Sequence, residues 1–144
     1  MSKSNGPLQH RDFPRKEEFT DFAGRKRTFT VERVNVPSGG YGIHAVEDVE
    51  GDGGYVFREF SAVDPFHALG KLRHRIRRLL SIRHLSEEGG RLSPTHDVVR
   101  GRVAYGGVVV DGIFVTFEQF NEMIQTYEGF DFSLKLGDTG DDLA

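Results

Sequence analysis

The sequence predicts an α+β domain, a largely antiparallel sheet in the order βββα-ββ(β)αβ with two helices packed on one face. Three observations predict it. Apolar residues alternate with polar ones through Phe29 and Val31, Tyr41 to Ala45, and Tyr55 to Phe60. They recur at three- and four-residue steps through Leu69, Leu72, Ile76, Leu79 and Leu80. Between such stretches stand the turn-forming pairs Gly39-Gly40, Gly89-Gly90, Gly106-Gly107 and Asp111-Gly112.

Residues 1–27 read as a flexible basic arm, polar throughout, broken by Pro7, Pro14 and Gly24, and ending in Arg25-Lys26-Arg27. Phe13, Phe19 and Phe22 are too sparse there to form a face, though they suit docking of a short turn on the body. Order is expected from Thr28. The first strand carries a bulge at Glu32-Arg33, where the apolar phase slips from Phe29 and Val31 to Val34 and Val36. Two more strands complete a meander. Asp64 and Pro65 then open the first helix, the carboxylate accepting from free amides of the first turn and Pro65 occupying the first helical position. The helix is expected to end near Leu85, and Ser86 to Thr95 to form a mobile loop.

A second sheet-and-helix unit follows. Val98 to Tyr105, Val108 to Val110 and Ile113 to Val115 read as strands joined by tight turns. Thr116 with Gln119 three residues on forms a capping box. Phe117, Phe120, Ile124 and Tyr127 mark the buried face of the second helix, with Met123 flanking it, and Gly129 stops it. Phe130, Phe132, Leu134 and Leu136 alternate with Asp131, Ser133 and Lys135, the strongest strand pattern in the chain. Residues 28–138 are thus expected to form one domain, and 139–144 an acidic tail.

The 144 residues include 37% hydrophobic and 28% charged side chains, enough for one core. With no cysteine, disulfides, thiolate metal sites and a cysteine nucleophile are excluded. The polar start lacks an apolar leader core, and the apolar runs are too short to span a bilayer. A cytoplasmic location, without a membrane partner, is the expectation. No cofactor motif is present: Ser38-Gly39-Gly40-Tyr41-Gly42 joins two strands and opens no helix that could receive a phosphate.

The net charge of −3 hides segregation. Residues 66–85 carry Lys71, Arg73, Arg75, Arg77, Arg78 and Arg83 and no acid, whereas Lys135 is the only base among residues 106–144. Lys71, Arg75 and Arg78 with His67 and His74 are therefore candidate nucleic-acid or anion-binding residues, with the Arg25–Arg27 cluster adding to the footprint. The bland alternative is that the acidic C-terminal third neutralises the basic helix. Asp48, Glu50, Asp52 and Glu59 match the spacing of a calcium loop, but between strands rather than helices, so no metal is expected. Ser93, His96 and Asp97 supply triad residue types without a nucleophile elbow. Phe114, Tyr127 and Phe130 are a candidate interaction surface at the helix-to-strand junction.

The string Val110-Asp111-Gly112, Phe117-Glu118-Gln119-Phe120, Met123 and Tyr127-Glu128-Gly129-Phe130-x-Phe132-x-Leu134-x-Leu136-x-Asp138 resembles a family of small bacterial proteins of unknown function. With the preceding βββα unit the resemblance covers about residues 28–140. It implies a shared fold and no known activity. Phe130 and Phe117 stand where that family's pattern carries Trp. Residues 28–85, three strands followed by Asp64-Pro65-x-x-Ala68-Leu69, resemble the partial RNase-H-like unit of HicB-type antitoxins, without their DNA-binding segment. The expectation is a non-catalytic protein-interaction or regulatory module, bacterial in character, with a protein partner or a second copy of itself. In a homodimer the basic helix and the acidic C-terminal region would play complementary parts. The alternative is sequence-tolerant nucleic-acid binding through residues 66–85 and Arg25–Arg27.

Overall fold

The computed structural model describes residues 12–137. The fold is α+β with antiparallel strands throughout, built as two successive units. In the first, β1 (Arg15–Thr20), β2 (Lys26–Val34), β3 (Tyr41–Glu47) and β4 (Val56–Ser61) form a meander in the order β1-β2-β3-β4, and α1 (Pro65–Leu80) covers one face. In the second, the hairpin β5 (Leu85–Glu88) and β6 (Arg91–Pro94) precedes the three-stranded meander β7 (Arg102–Ala104), β8 (Gly107–Val110) and β9 (Ile113–Thr116), followed by α2 (Phe117–Gln125).

The start of α1 follows from its first residues. Asp64 Oδ1 accepts from the His67 amide at 2.7 Å, and Pro65 fills the position whose N–H would be unused. The stripe Leu69, Leu72, Ile76 and Leu80 is buried against Phe29, Val31, Ile43, Ala45 and Phe57 of the sheet. Phe19, Phe29 and Phe57 continue as edge-to-face and tilted rings with centroids 5.8 Å apart.

The structure corrects several expectations. Residues 15–20 are a sheet strand and not part of a flexible arm: every residue from Arg15 to Thr20 pairs with β2, and Phe13 and Phe19 are buried. Of that arm, residues 1–11 lie outside the described residues, as does the tail 139–144. The strand was obscured because Phe19 is the one buried residue in Arg-Lys-Glu-Glu-Phe-Thr. No bulge interrupts β2, whose register to β3 runs unbroken from Phe29 opposite Glu47 to Val34 opposite Gly42. Val34 simply takes the other face, where the absent side chain of Gly42 leaves it room. Helix α1 stops at Leu80, and residues expected to be a loop form β5–β6, closed by Gly89-Gly90 with both φ positive.

The two helices do not share one face of one sheet. Helix α1 covers the first meander, and α2 packs through Met123 and Phe120 on Val108, Val110 and Val115 of the second. The final strand is absent: residues 130–136 belong to no sheet. No helix among the described residues is long and apolar enough to cross a membrane.

Leu72 is fully buried beneath α1. Leu72→Ala is expected to lower the stability of the fold by about 2–5 kcal/mol, measured by urea denaturation, because the rigid sheet beneath it cannot close the void.

Candidate functional site

Helix α1 presents its cations to carboxylates of its own unit. Arg73 Nε donates to Glu17 Oε1 on β1 at 2.9 Å. Arg75 Nε donates to Glu59 Oε2 on β4 at 2.9 Å, and Lys71 Nζ lies 3.5 Å from Glu59 Oε1 while donating to the Phe60 carbonyl. The Arg77 guanidinium lies 5.4 Å from the Phe19 ring centroid. Thus β1 and β4 supply carboxylates that neutralise part of the basic helix. His67 Nδ1 pairs with the Ser61 hydroxyl at 2.7 Å, and His74 and Arg78 are exposed. Arg27 of the basic cluster is turned inward, away from any footprint shared with Lys71 or Arg75.

The Ser61–His67 pair is a corner tie. Ser61 is buried and its oxygen also accepts from the Val63 amide at 2.9 Å. Ser93 pairs with Ser86 at 2.9 Å, whereas His96 and Asp97 are exposed. The calcium-like spacing spans the β3–β4 loop. Asp48 is engaged by Lys16 Nζ and Thr30 Oγ1, both at 2.6 Å, and Glu59 by α1, so these acids do not converge. Among the described residues no group of three or more His, Asp or Glu could hold a metal ion.

The densest polar cluster lies where the two units meet. Arg27 Nε donates to Asp21 Oδ2 at 2.8 Å and Nη1 to Glu47 Oε2 at 2.9 Å, and its guanidinium packs over the Tyr55 ring at 5.1 Å. Asp21 and Glu47 are both buried. Across the seam, the Asp111-Gly112 turn has φ of +56° and +75°. The Asp111 carboxylate accepts from the His84 amide at 2.9 Å and the Leu85 amide at 2.8 Å, joining the β8–β9 turn to the start of β5. Gly112 sits so close to Tyr55 and Arg27 that a Cβ would meet them at 2.8 and 3.0 Å, and its carbonyl accepts from the Gly54 amide at 2.7 Å. Arg102 Nη2 donates to the Gly54 carbonyl at 2.9 Å. Burial, then the charge of Asp111, push the Tyr55 phenol well above its ordinary range, so it stays protonated. The seam is a lock between units: its ionised groups are engaged with one another and with backbone amides.

The boundary has a counterpart in sequence families. Residues 11–81 match the family model described as Domain of unknown function (DUF7686), and residues 82–141 match Domain of unknown function (DUF7713). The two matches meet at the end of α1. The second contains the whole of the Asp-Gly, Glu-x-Phe and Glu-Gly-aromatic pattern described above. Neither match is a HicB-type antitoxin domain. No curated protein and no solved structure matches the chain.

Within the second match, α2 and the residues after it expose most of their apolar side chains. Only Met123 of α2 is buried, with Phe120 half-buried. Phe117, Ile124 and Tyr127, expected to be buried, are exposed, and Phe130, Phe132, Leu134 and Leu136 are 72%, 90%, 71% and 73% exposed. Helical geometry explains the inversion. Met123 faces the sheet, and Gln119, Glu122 and Thr126 face Gly90–Leu92 of the hairpin turn. At about 100° per residue, Phe117 and Ile124 lie on the flank away from that hairpin. Of the expected surface, Tyr127 and Phe130 come together edge to face at 5.4 Å. Phe114 does not join them. It pairs with Val109 on the opposite face of the meander from Val110 and Val115.

Two tests address the seam. Burial pushes the Asp21 carboxyl up, but the Arg27 guanidinium and the Arg25 and Ala23 amides outweigh it and hold it below its ordinary 3.8. A depressed folded-state pKa gives stability that is present above about pH 4 and lost as pH falls through the folded value. Asp21→Asn is therefore expected to destabilise the protein at pH 7, with the difference from wild type shrinking on acidification, followed by urea midpoints from pH 7 to pH 2. Asp111→Ala is expected to cost about 2–4 kcal/mol, because it orphans the His84 and Leu85 amides and puts Ala at positive φ. Asp111→Asn, which keeps an acceptor and tolerates that backbone, is expected to cost less in the same assay.

Proposed function

We propose that this chain is a non-catalytic protein-interaction module whose contact surface is the apolar face formed by α2 and the residues that follow it, 117–136. The observation that carries the reading is the exposure of seven large apolar side chains within that one stretch: Phe117, Ile124, Tyr127, Phe130, Phe132, Leu134 and Leu136. Isolated exposed apolar residues are ordinary on any surface, but seven large ones within twenty residues of chain are more than scatter and favour an interaction site. The remaining architecture supports it. The four-stranded sheet and α1 bury their own apolar stripe and ion-pair much of their own charge, so they serve as a scaffold for the second unit.

Nucleic-acid binding draws less support, since Lys71 and Arg75 would first have to surrender Glu59. Glu17 and Glu59 supply counter-charge to Arg73, Arg75 and Lys71 from within the same unit.

The reading is tested with a photo-crosslinking residue, p-benzoylphenylalanine, placed at Phe132 or Ile124, and at exposed Glu18 on β1 as control. In the producing cell, positions 132 and 124 are expected to give discrete crosslinks to protein, including a second copy of the chain, and position 18 none. Absence of crosslinks at 132 and 124, or the same products from position 18, would overturn it.

A further inference from the structure

Residues 130–136 are symmetric about their centre. Taking Ser133 as the midpoint, apolar residues stand one and three positions away on both sides (Phe132 and Leu134, Phe130 and Leu136). At two positions away, Asp131 stands on one side and Lys135 on the other. Two antiparallel copies centred on Ser133 would place Phe130 opposite Leu136 and Phe132 opposite Leu134, all on one face. On the other face each Asp131 would lie opposite a Lys135. Identical segments related by a two-fold axis pair in this antiparallel sense, so the charges are opposite only because Asp and Lys flank the centre unequally.

We infer that residues 130–136 pair with the same residues of a second copy as an antiparallel ribbon centred on Ser133, with its apolar face packed on the exposed flanks of the two α2 helices. This rests on the interaction surface proposed above and names its occupant. A lone two-stranded ribbon is marginal in water, so the helix flanks are a necessary part of it. Helix α2 extends about 12 Å and residues 130–136 about 20 Å as a strand, so the flanks of two helices together suffice to cover the ribbon. In the single chain they do not cover one another, since all four arm side chains remain at least 71% exposed.

The area is sufficient. Phe130, Phe132, Leu134 and Leu136 expose on the order of 500 Å² of side chain per copy. Covering both arms together with the flanks they meet removes roughly 1,500 Å² or more from water, within the range of specific dimers. Charge complementarity across the ribbon, and not apolar exposure alone, singles out a second copy over an unrelated partner.

The absence of native cysteine makes the test direct. In the full chain, Ser133→Cys places two thiols opposite one another on the polar face, at a Cα separation of about 4.5–5.5 Å that suits a disulfide. Asp131→Cys places them about four residues apart along the ribbon, on the order of 13 Å and out of reach. Under the same mild oxidation, the Ser133→Cys variant is expected to give a covalent dimer and the Asp131→Cys variant a monomer. Asp131→Lys is expected to weaken the dimer about tenfold by sedimentation equilibrium, and adding Lys135→Asp to restore it to within about threefold. Because these positions are exposed, thermal unfolding is expected to confirm an intact fold in each variant. A chain that stays monomeric at high concentration, equal bridging by the two cysteine variants, or failure of the charge swap to restore the dimer would overturn the pairing. If position 132 crosslinks only to other polypeptides while the Ser133→Cys variant does not bridge, the interaction surface stands and this pairing falls. If position 132 captures nothing either, both fall.

Discussion

The Arg27 guanidinium is the joint on which the arrangement of the two units depends. One side chain on β2 holds Asp21 from the preceding corner and Glu47 at the end of β3, lies over Tyr55, and abuts Gly112 in the second unit. Two buried carboxylates near one cation would be costly if either lost it, since an ion without its partner keeps the desolvation penalty and loses the compensating attraction. The cluster therefore fixes the β1–β2 corner, the end of β3 and the approach of the β8–β9 turn together. Asp111 completes the joint from the other side, binding through its carboxylate the backbone amides where β5 begins.

The two units solve the problem of burying an apolar face differently. In the first, a 16-residue helix spans four strands, and its stripe is long enough to meet a full sheet face. In the second, a 9-residue helix lies over strands of three and four residues, with a hairpin along one side. That small meander reaches only one strip of α2, so Met123 is buried and the flank bearing Phe117 and Ile124 is left to solvent. The arm after Gly129 adds four more uncovered side chains. Apolar exposure thus concentrates in the unit whose small sheet covers only part of its helix.

Charge follows the same division. The base-rich helix looks, in sequence, like a surface awaiting an anion. In the fold, Glu17 and Glu59 reach it from strands at the two sheet edges, so much of that field is spent within one unit. Asp131 and Lys135, two positions either side of Ser133, set opposite charges within the arm.

Local signals alone determined much of this protein. The Asp64-Pro65 helix start, the Thr116–Gln119 capping box, the Leu69–Leu80 stripe and the Asp111-Gly112 turn are each specified by residues within a few positions of one another, and each is where the pattern places it. Tertiary structure alone decided the rest. Strand β1 has a single buried residue and exists because β2 offers it a complete hydrogen-bonding edge. The exposure of Phe117, Ile124 and Tyr127 was hidden because an apolar stripe states which side of a helix is greasy, and not how wide a surface waits to cover it. Likewise the alternation of residues 130–136 encodes a strand, but among the described residues no strand pairs with it. Period and capping are properties of a segment, whereas burial and pairing belong to whatever the segment meets.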